Sequence, residues 1–368
     1  LIDAPASITV ITQEDLEGKY YRDVTDALQD IPGVSIEGGA GDKLESTSIN
    51  IRGLGESYTL FLINGKPLGA STEAYYNGFG SATQVGWLPP LNAIERIEVI
   101  RGPMSSLYGS SALAGVINII TKEVADAWNG RISYDHLLQE NDDAGTARQA
   151  NFYLSGPLVE DRLGLTLYGS SYERDEDEIQ GGYTAKERID GTAQLNLKVN
   201  DANSLELEGG RAEHDNERTA KSGSPGEMNN IRTHYGLTHT LRWGERFETR
   251  SFLIDEEVEI ENGSVESAYT STLANTKTVL PLENQTMTLG AEYKWETTDH
   301  DASRFYGGAN SLSLERWQRA LFIEDEYYVT DDLSLTGGLR YDENEHYGEE
   351  LIPRLYAVYR MTDHWVLK

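Results

Sequence analysis

The chain has 368 residues, of which 38% are hydrophobic and 25% are charged, so its composition is that of a folded protein with a core. Its net charge of -30 excludes a basic patch for nucleic acid or an anionic membrane surface, and the absence of cysteine excludes disulfides and thiolate chemistry. No apolar run reaches the roughly 18 residues that a transmembrane helix needs. The strands of a transmembrane β-barrel alternate between apolar and polar residues, so this criterion does not apply to them.

The beginning of the chain mixes short apolar strands with helix signals. Residues 7–11 form a predicted strand. Thr12 follows as a predicted helix N-cap, with Asp15 three residues later as its capping-box partner. A second helix is predicted at residues 23–29.

Three further strands are predicted before Lys122. Residues 58–63 are apolar and run directly into Asn64-Gly65, the strongest short hairpin signal that a sequence offers. Residues 94–100 and 116–120 are the other two strands. We therefore predict that residues 1–122 form one mixed α/β domain.

After Lys122 the helix signals stop and apolar and polar residues alternate. The clearest case is residues 286–295, where apolar residues stand at every second position from Met287 to Trp295. A period of two is typical of a sheet with one apolar and one polar face. The same period recurs at residues 194–199 and 333–342.

Residues 123–368 are predicted to form about twelve strands joined alternately by tight turns and long polar loops, the layout of an outer-membrane barrel. The predicted turns are 199–203, 244–245, 281–284, 330–332 and 362–363, and the predicted loops are 139–146, 174–189, 213–229, 298–310 and 343–350. A barrel around a domain of this size needs about 22 strands, so the predicted antiparallel up-and-down barrel is incomplete. A soluble β-sandwich also alternates and is the alternative fold.

Three segments of the first domain resemble the plug of TonB-dependent outer-membrane receptors. They are DAPASITVITQEDL at 3–16, IRGLG with SYTLFL and ING within 49–65, and IERIEVIRGPMSSLYGSSALAGVINIITK at 94–122. These segments are most similar in sequence to those of the group that contains the colicin I receptor and the catecholate siderophore receptors. A weaker resemblance continues into the predicted barrel at residues 321–327 and 335–347.

The resemblance implies an outer-membrane receptor of a Gram-negative bacterium that takes up a ferric siderophore, of the catecholate type, by rearranging its plug. The implied partners are TonB with its inner-membrane energising complex, the siderophore, outer-membrane lipid and, for some relatives, a colicin or phage. The segment that docks TonB is expected before Leu1. We expect no enzyme activity, no catalytic residues, no resident cofactor and no metal site.

Arg52 and Arg101 match the arginines that lock the plug to barrel glutamates in this family. Each precedes a glycine at the end of a predicted strand, and a guanidinium can make two parallel hydrogen bonds to a carboxylate. The glutamates of the family pattern would lie beyond Lys368. The alternative is that Glu95 or Glu98 pairs with these arginines inside the plug.

Two plug loops are candidates for ligand contact. Loop 38–48 carries Lys43, and loop 69–85 carries Tyr75, Tyr76 and Phe79, whose rings could stack on planar catechols. The second loop has no Lys or Arg, whereas catecholate receptors usually place arginines there. Alternatively, its rings pack on each other in an ordered Ω-like loop.

Other chemistry finds little support in the sequence. His234 and His239 are five residues apart and would face opposite sides of a strand, which disfavours a histidine metal site. The acidic segment 174–179 lacks the spacing of an EF-hand and is predicted to be a solvated external loop. The alternative functions are a cobalamin receptor, a passive porin or adhesin, and a soluble β-sandwich protein.

Overall fold

The structure is a computed structural model that describes residues 7–38, 47–68, 84–102, 104–109, 112–263, 265–300, 311–362 and 365–367. Residues up to Thr121 form a small domain, and a single large sheet begins at Asn129. The large sheet is called the wall below, and the small domain is called the plug because it packs against one face of the wall.

The plug combines short helices with strands of two to eight residues around an apolar core. Its elements are β1 (Ser7–Thr12), α1 (Gln13–Gly18), α2 (Val24–Gln29), β2 (Val34–Gly38), β3 (Thr47–Ile51), β4 (Thr59–Ile63), the two-residue β5 (Lys66–Pro67), β6 (Ile94–Arg101), α3 (Ser105–Tyr108) and β7 (Gly115–Thr121). Its main sheet has the order β1-β6-β7-β4-β5, with only the β4–β7 pair parallel, and β2 pairs with β3. Phe61, Ile97 and Ile117 are fully buried in the core.

Local signals place the plug elements where the sequence predicts them. The Thr12 hydroxyl accepts a hydrogen bond from the Asp15 backbone N–H, and the Asp15 carboxylate accepts one from the Thr12 N–H, which confirms the capping box. Asp23 caps α2, so that helix begins one residue later than predicted. Asn64 and Gly65 both have positive φ, 52° and 73°, which is the turn predicted between β4 and β5.

Within the described residues, the wall is an antiparallel sheet of thirteen strands in sequential order, one more than expected. The strands are β8 (Asn129–Leu137), β9 (Ala147–Val159), β10 (Leu163–Arg174), β11 (Ala185–Lys198), β12 (Asn203–Arg218), β13 (Gly226–Trp243), β14 (Phe247–Asn262), β15 (Val265–Pro281), β16 (Gln285–His300), β17 (Leu312–Thr330), β18 (Leu333–Asn344), β19 (Gly348–Thr362) and β20 (Trp365–Leu367). β8 and β20 lie at the two ends of the described sheet and do not pair with each other. This confirms the predicted incomplete up-and-down barrel, and several outer connections are shorter than expected because the strands continue into predicted loops.

The two faces of the wall have opposite character. On β16, Leu289, Tyr293 and Trp295 are each about two-fifths exposed on the outer face. Lys294 lies on the inner face, where its side chain is 17% exposed. The inner face also buries Gln194 and Arg340 and carries the plug, so the plug packs against the polar face of the wall. Among the described residues, no helix is long and apolar enough to cross a membrane.

At the rim where the long loops were predicted, called the outer rim below, three connections between strands bind one another and do not stand free in solvent. Glu176, after β10, accepts hydrogen bonds from the backbone and hydroxyl of Thr219, after β12. The Lys221 ammonium pairs with Glu178, whose own backbone N–H donates to the Asp143 carbonyl after β8. The rim above β8–β13 is therefore one connected structure.

Asp177 organises this rim from within. It is 3% exposed, and its carboxylate accepts hydrogen bonds from the Gly145 and Tyr183 backbone N–H groups at 2.8 and 2.9 Å. Arg174, also buried, donates to it. Burial alone raises the pKa of the Asp177 carboxyl, but these N–H groups and the Arg174 guanidinium outweigh burial and lower the pKa. The expectation that segment 174–179 is simply solvated is wrong for these two residues, because Asp177 has local donors.

We predict that an arginine on the outer face destabilises the wall in a bilayer. Leu289 lies four residues beyond Gln285, the first residue of β16, and is 38% exposed. Leu289→Arg should cost about 2–4 kcal/mol, because a charge would face hydrocarbon. The matched control is Thr288→Arg on the inner face. Equal denaturation midpoints for the two variants in lipid vesicles would contradict the assignment of faces.

We also predict that the rim depends on the charged form of Asp177. Because its folded pKa is depressed, the stabilisation is complete above the ordinary value of 3.8 and is lost as pH falls through the folded pKa. Asp177→Asn should remove it at neutral pH. Hydrogen-exchange protection of the Gly145 and Tyr183 amides measures both effects. Asp175→Asn, at a half-exposed carboxylate of the same loop, should leave those amides protected.

Candidate functional site: the interface between plug and wall

One buried ion pair joins the plug to the wall. Lys66 of β5 has its Nζ 2.8 Å from Glu206 and 2.7 Å from Glu208, both on β12. The Lys66 side chain is 2% exposed, and those of the two glutamates are 22% and 8% exposed. A buried charge that loses its partner typically costs about 3–5 kcal/mol, so this contact fixes the position of the plug strongly.

Local geometry explains why these three charges meet. The Asn64-Gly65 turn reverses the chain immediately before Lys66 and pairs Lys66 with Ile63. Glu206 and Glu208 are two residues apart on one strand, so both carboxylates point to the same face. The ammonium, which has three N–H donors, lies within hydrogen-bonding distance of an oxygen of each carboxylate.

Two wall arginines bind carbonyl oxygens of plug turns. Arg250 of β14 donates to the Asn64 carbonyl at 2.7 Å, beside the Lys66 ion pair. Arg340 of β18 donates to the carbonyl of Leu107, within α3, at 3.3 Å. Arg340 is itself held by Asp342 and Glu292 on the inner face. Both contacts are to backbone, so they recognise the shape of a plug turn and not its side chains.

The outer part of the interface is apolar and aromatic. Trp87, at the end of the 3₁₀ turn Gln84–Trp87, stacks on His214 of β12 with ring centroids 4.2 Å apart and an interplanar angle of 17°. A Cβ at Gly86 would lie 2.9 Å from the His214 ring, so glycine permits this close approach. Trp87 also clusters with Val258 and Ile260 of β14.

A charged cluster on the inner face adjoins this aromatic contact through Tyr269. Glu296 of β16 accepts a hydrogen bond from the Tyr269 hydroxyl and pairs with Lys294 and Arg316. The Glu296 side chain is 4% exposed. Lys294 and Arg316 therefore share one buried carboxylate.

The two predicted lock arginines lie at the plug surface in different environments. Arg52 is exposed and has φ 54°, and its backbone N–H donates to the Gly33 carbonyl. Arg101 donates to the Pro32 carbonyl and to the Thr9 hydroxyl, both inside the plug. The carboxylates of Glu95 and Glu98, which we considered as internal partners, bind Arg96. The lock role of Arg52 and Arg101 remains a prediction.

The predicted ligand-contact residues Lys43, Tyr75, Tyr76 and Phe79 lie outside the described residues. The residues on either side of the second loop differ in their contacts: Leu68 belongs to the plug core, and Trp87 packs against the wall. Leu68 is 7% exposed and Trp87 is 5% exposed. Across the described ranges, no group of three or more histidine, aspartate or glutamate side chains is placed to hold a metal ion.

Sequence reasoning missed the residues that seat the plug. Lys66, Glu206, Glu208 and Arg250 are separated widely along the chain, and only the register of the wall brings them together. One signal was available: charged residues at the polar positions of an alternating strand need partners when a domain covers that face. Lys66, directly after a hairpin signal, was a candidate for the other side.

Comparison with known proteins matches both parts of the chain. Residues 1–116 match the TonB-dependent receptor plug domain, and residues 128–368 match the TonB-dependent receptor-like β-barrel. The iron-regulated outer membrane virulence protein of Vibrio cholerae is 40% identical over 376 residues, covering 100% of this chain and 56% of that protein. The ferric enterobactin receptor PirA of Pseudomonas aeruginosa is 30% identical and is covered to 57%, with 98% of this chain.

Solved structures agree with the fold. The siderophore receptor PirA of Pseudomonas aeruginosa superposes with a TM-score of 0.81 at 28% identity, over 98% of this chain and 60% of that one. The chain thus spans between half and two thirds of the length of its relatives. Since the two family matches together account for nearly all of the sequence, the chain belongs to the TonB-dependent receptors of the Gram-negative outer membrane.

Proposed function

We propose that this chain serves the uptake of a ferric siderophore of the catecholate type. The observation that carries the proposal is that the plug packs against the polar face of the wall, where the buried Lys66 ion pair holds it. A folded domain in this position blocks free diffusion, so passage requires a bound ligand and a rearrangement. This argues against a passive porin.

The ligand class is supported by relatives and by the chemistry of the outer interface. Relatives from Pseudomonas aeruginosa and Escherichia coli, 27–30% identical, are named as receptors for ferric enterobactin, a catecholate complex. The interlocked rim and the aromatic contact of Trp87 give the outer end a fixed frame. Rings of Tyr75, Tyr76 and Phe79 would add surfaces for stacking on catechols.

Energy for the rearrangement would come from TonB and its inner-membrane complex, as in the family. The plug is the element on which such a force would act, since it is the part that fills the face of the wall. Arg52 and Arg101 would then hold the plug until the force is applied. The chain would work by binding and release, without covalent chemistry.

We predict that replacing Tyr75, Tyr76 and Phe79 together by alanine weakens binding of ferric enterobactin. Each stacking contact is worth about 0.5–1.5 kcal/mol, so the dissociation constant should rise by at least one order of magnitude. Tryptophan fluorescence quenching by the ferric complex measures it. The variant Tyr75→Phe with Tyr76→Phe keeps the rings and should bind as the unaltered protein does.

A direct test of ligand class compares ferric enterobactin with cobalamin, the ligand of the main alternative. The protein as the cell makes it should bind the ferric catecholate, and its loss should abolish growth on that complex as sole iron source. Iron should repress its synthesis. Binding of cobalamin without binding of any ferric catecholate would overturn the proposal.

A further inference from the structure

Two cavities lie along the same strands of the wall, and plug residues line the outer one. The outer cavity, about 40 Å³, is lined by Leu68 and Trp87 of the plug and by Tyr168, Glu208 and His234 of the wall. The inner cavity, about 460 Å³, opens at the rim of short turns, where Asn200 and Asp201 line it together with Glu206, Thr238 and Arg250.

The Lys66 ion pair stands between the two cavities. Glu208 lines the outer one and Glu206 lines the inner one, and the single Lys66 ammonium lies 2.7 and 2.8 Å from these two carboxylates. Arg250 provides a second contact at this place. It lines the inner cavity and donates to the Asn64 carbonyl, in the hairpin that carries Lys66.

The element that carries Lys66 is the most weakly attached strand of the plug sheet. β5 is two residues long, lies at the sheet edge and pairs with β4 at two positions. β4, by contrast, pairs in parallel with β7 along its whole length. Displacing β5 therefore breaks few backbone hydrogen bonds, and the core of the plug stays folded.

We propose that Lys66 blocks a passage along wall strands β10–β14, and that displacement of β5 joins the two cavities. The passage runs from Trp87 at the outer end to the short-turn rim at Asn200. Lys66 acts as a positioning residue: bound to Glu206 and Glu208 it holds the hairpin against the wall. This inference rests on the proposed function, because a passage presupposes transport.

The test links the Lys66 position covalently and reversibly to the wall, in the protein as the cell makes it. In a protein without other cysteines, and this chain has none, Lys66→Cys with Glu208→Cys can be bridged by a bifunctional thiosulfonate reagent that spans the former ion pair and is removed by reduction. We expect the bridged protein to bind ferric enterobactin normally but to lose its uptake, and reduction to restore it. Uptake that persists in the fully bridged protein would overturn the proposal.

A matched control bridges a different contact between plug and wall. Glu17 of α1 and Arg131 of β8 form an exposed pair at 2.9 Å, away from both cavities. Glu17→Cys with Arg131→Cys, treated with the same reagent, should keep its uptake. Equal loss of uptake in the control would mean that the plug moves as a whole, and would also overturn the proposal.

A second measurement needs no ligand and so separates this inference from the proposed function. Replacing Lys66, Glu206 and Glu208 together by alanine should raise the ion conductance of the protein in a planar bilayer. Replacing Glu17 and Arg131 by alanine should not. Unchanged conductance in the triple variant would contradict the proposal that Lys66 blocks a passage. Failure of the unaltered protein to bind any ferric catecholate would contradict only the assignment of the ligand.

Discussion

A sheet that crosses hydrocarbon must pair all its backbone N–H and C=O groups within itself, and the rest of this structure depends on that constraint. The wall meets it with thirteen strands in sequential order, joined by continuous antiparallel ladders such as β13–β14 and β14–β15. Pleated strands then present alternate residues to opposite faces. One face is free to be polar, and the plug occupies it.

This polar face determines how the plug is held. Charged groups hold the end of the plug nearest the short turns, called its inner end. There, Lys66 pairs with two wall carboxylates, and Arg250 of the wall donates to the Asn64 carbonyl. Burying such groups has a large desolvation cost, so an ion pair contributes less net stability than apolar packing of the same size. It instead fixes one position, because a small displacement leaves charges unpaired. The contact is therefore specific in position and can be broken without exposing a large apolar surface.

Local features were predictable from the sequence, and features that depend on distant partners were not. The Thr12–Asp15 capping box and the Asn64-Gly65 hairpin need only neighbouring residues, and both were predicted correctly. The ion pair joins Lys66 to residues 140 positions later, so it needs the register of the whole wall and the orientation of the plug. Two glutamates on a strand do not reveal which lysine they meet.

The lengths of the outer loops were mispredicted for a different physical reason. Residues 213–229 are rich in acids and were assigned to a loop, but Glu213, Asp215 and Glu217 lie on β12, which continues to Arg218. Polar residues mark a loop only where a strand would otherwise face lipid. Beyond the hydrocarbon a strand can carry acids on its outer face, and composition cannot distinguish the two cases.

β14 shows where that change of environment falls. Leu253 is 47% exposed on the outer face, and the next outer-face residues, Asp255 and Glu257, are acidic and exposed. On the inner face the order is the reverse: Arg250 contacts the plug near the short turns, whereas Val258 and Ile260 are buried farther out.

The plug consequently has two ends with different chemistry. Its outer end packs through Trp87 on Val258 and Ile260, where release would expose apolar surface to water. Its inner end is held by charges, which water can solvate once they separate. A rearrangement that opens a path while leaving the plug folded is therefore least costly at the inner end, where the short strand β5 carries Lys66.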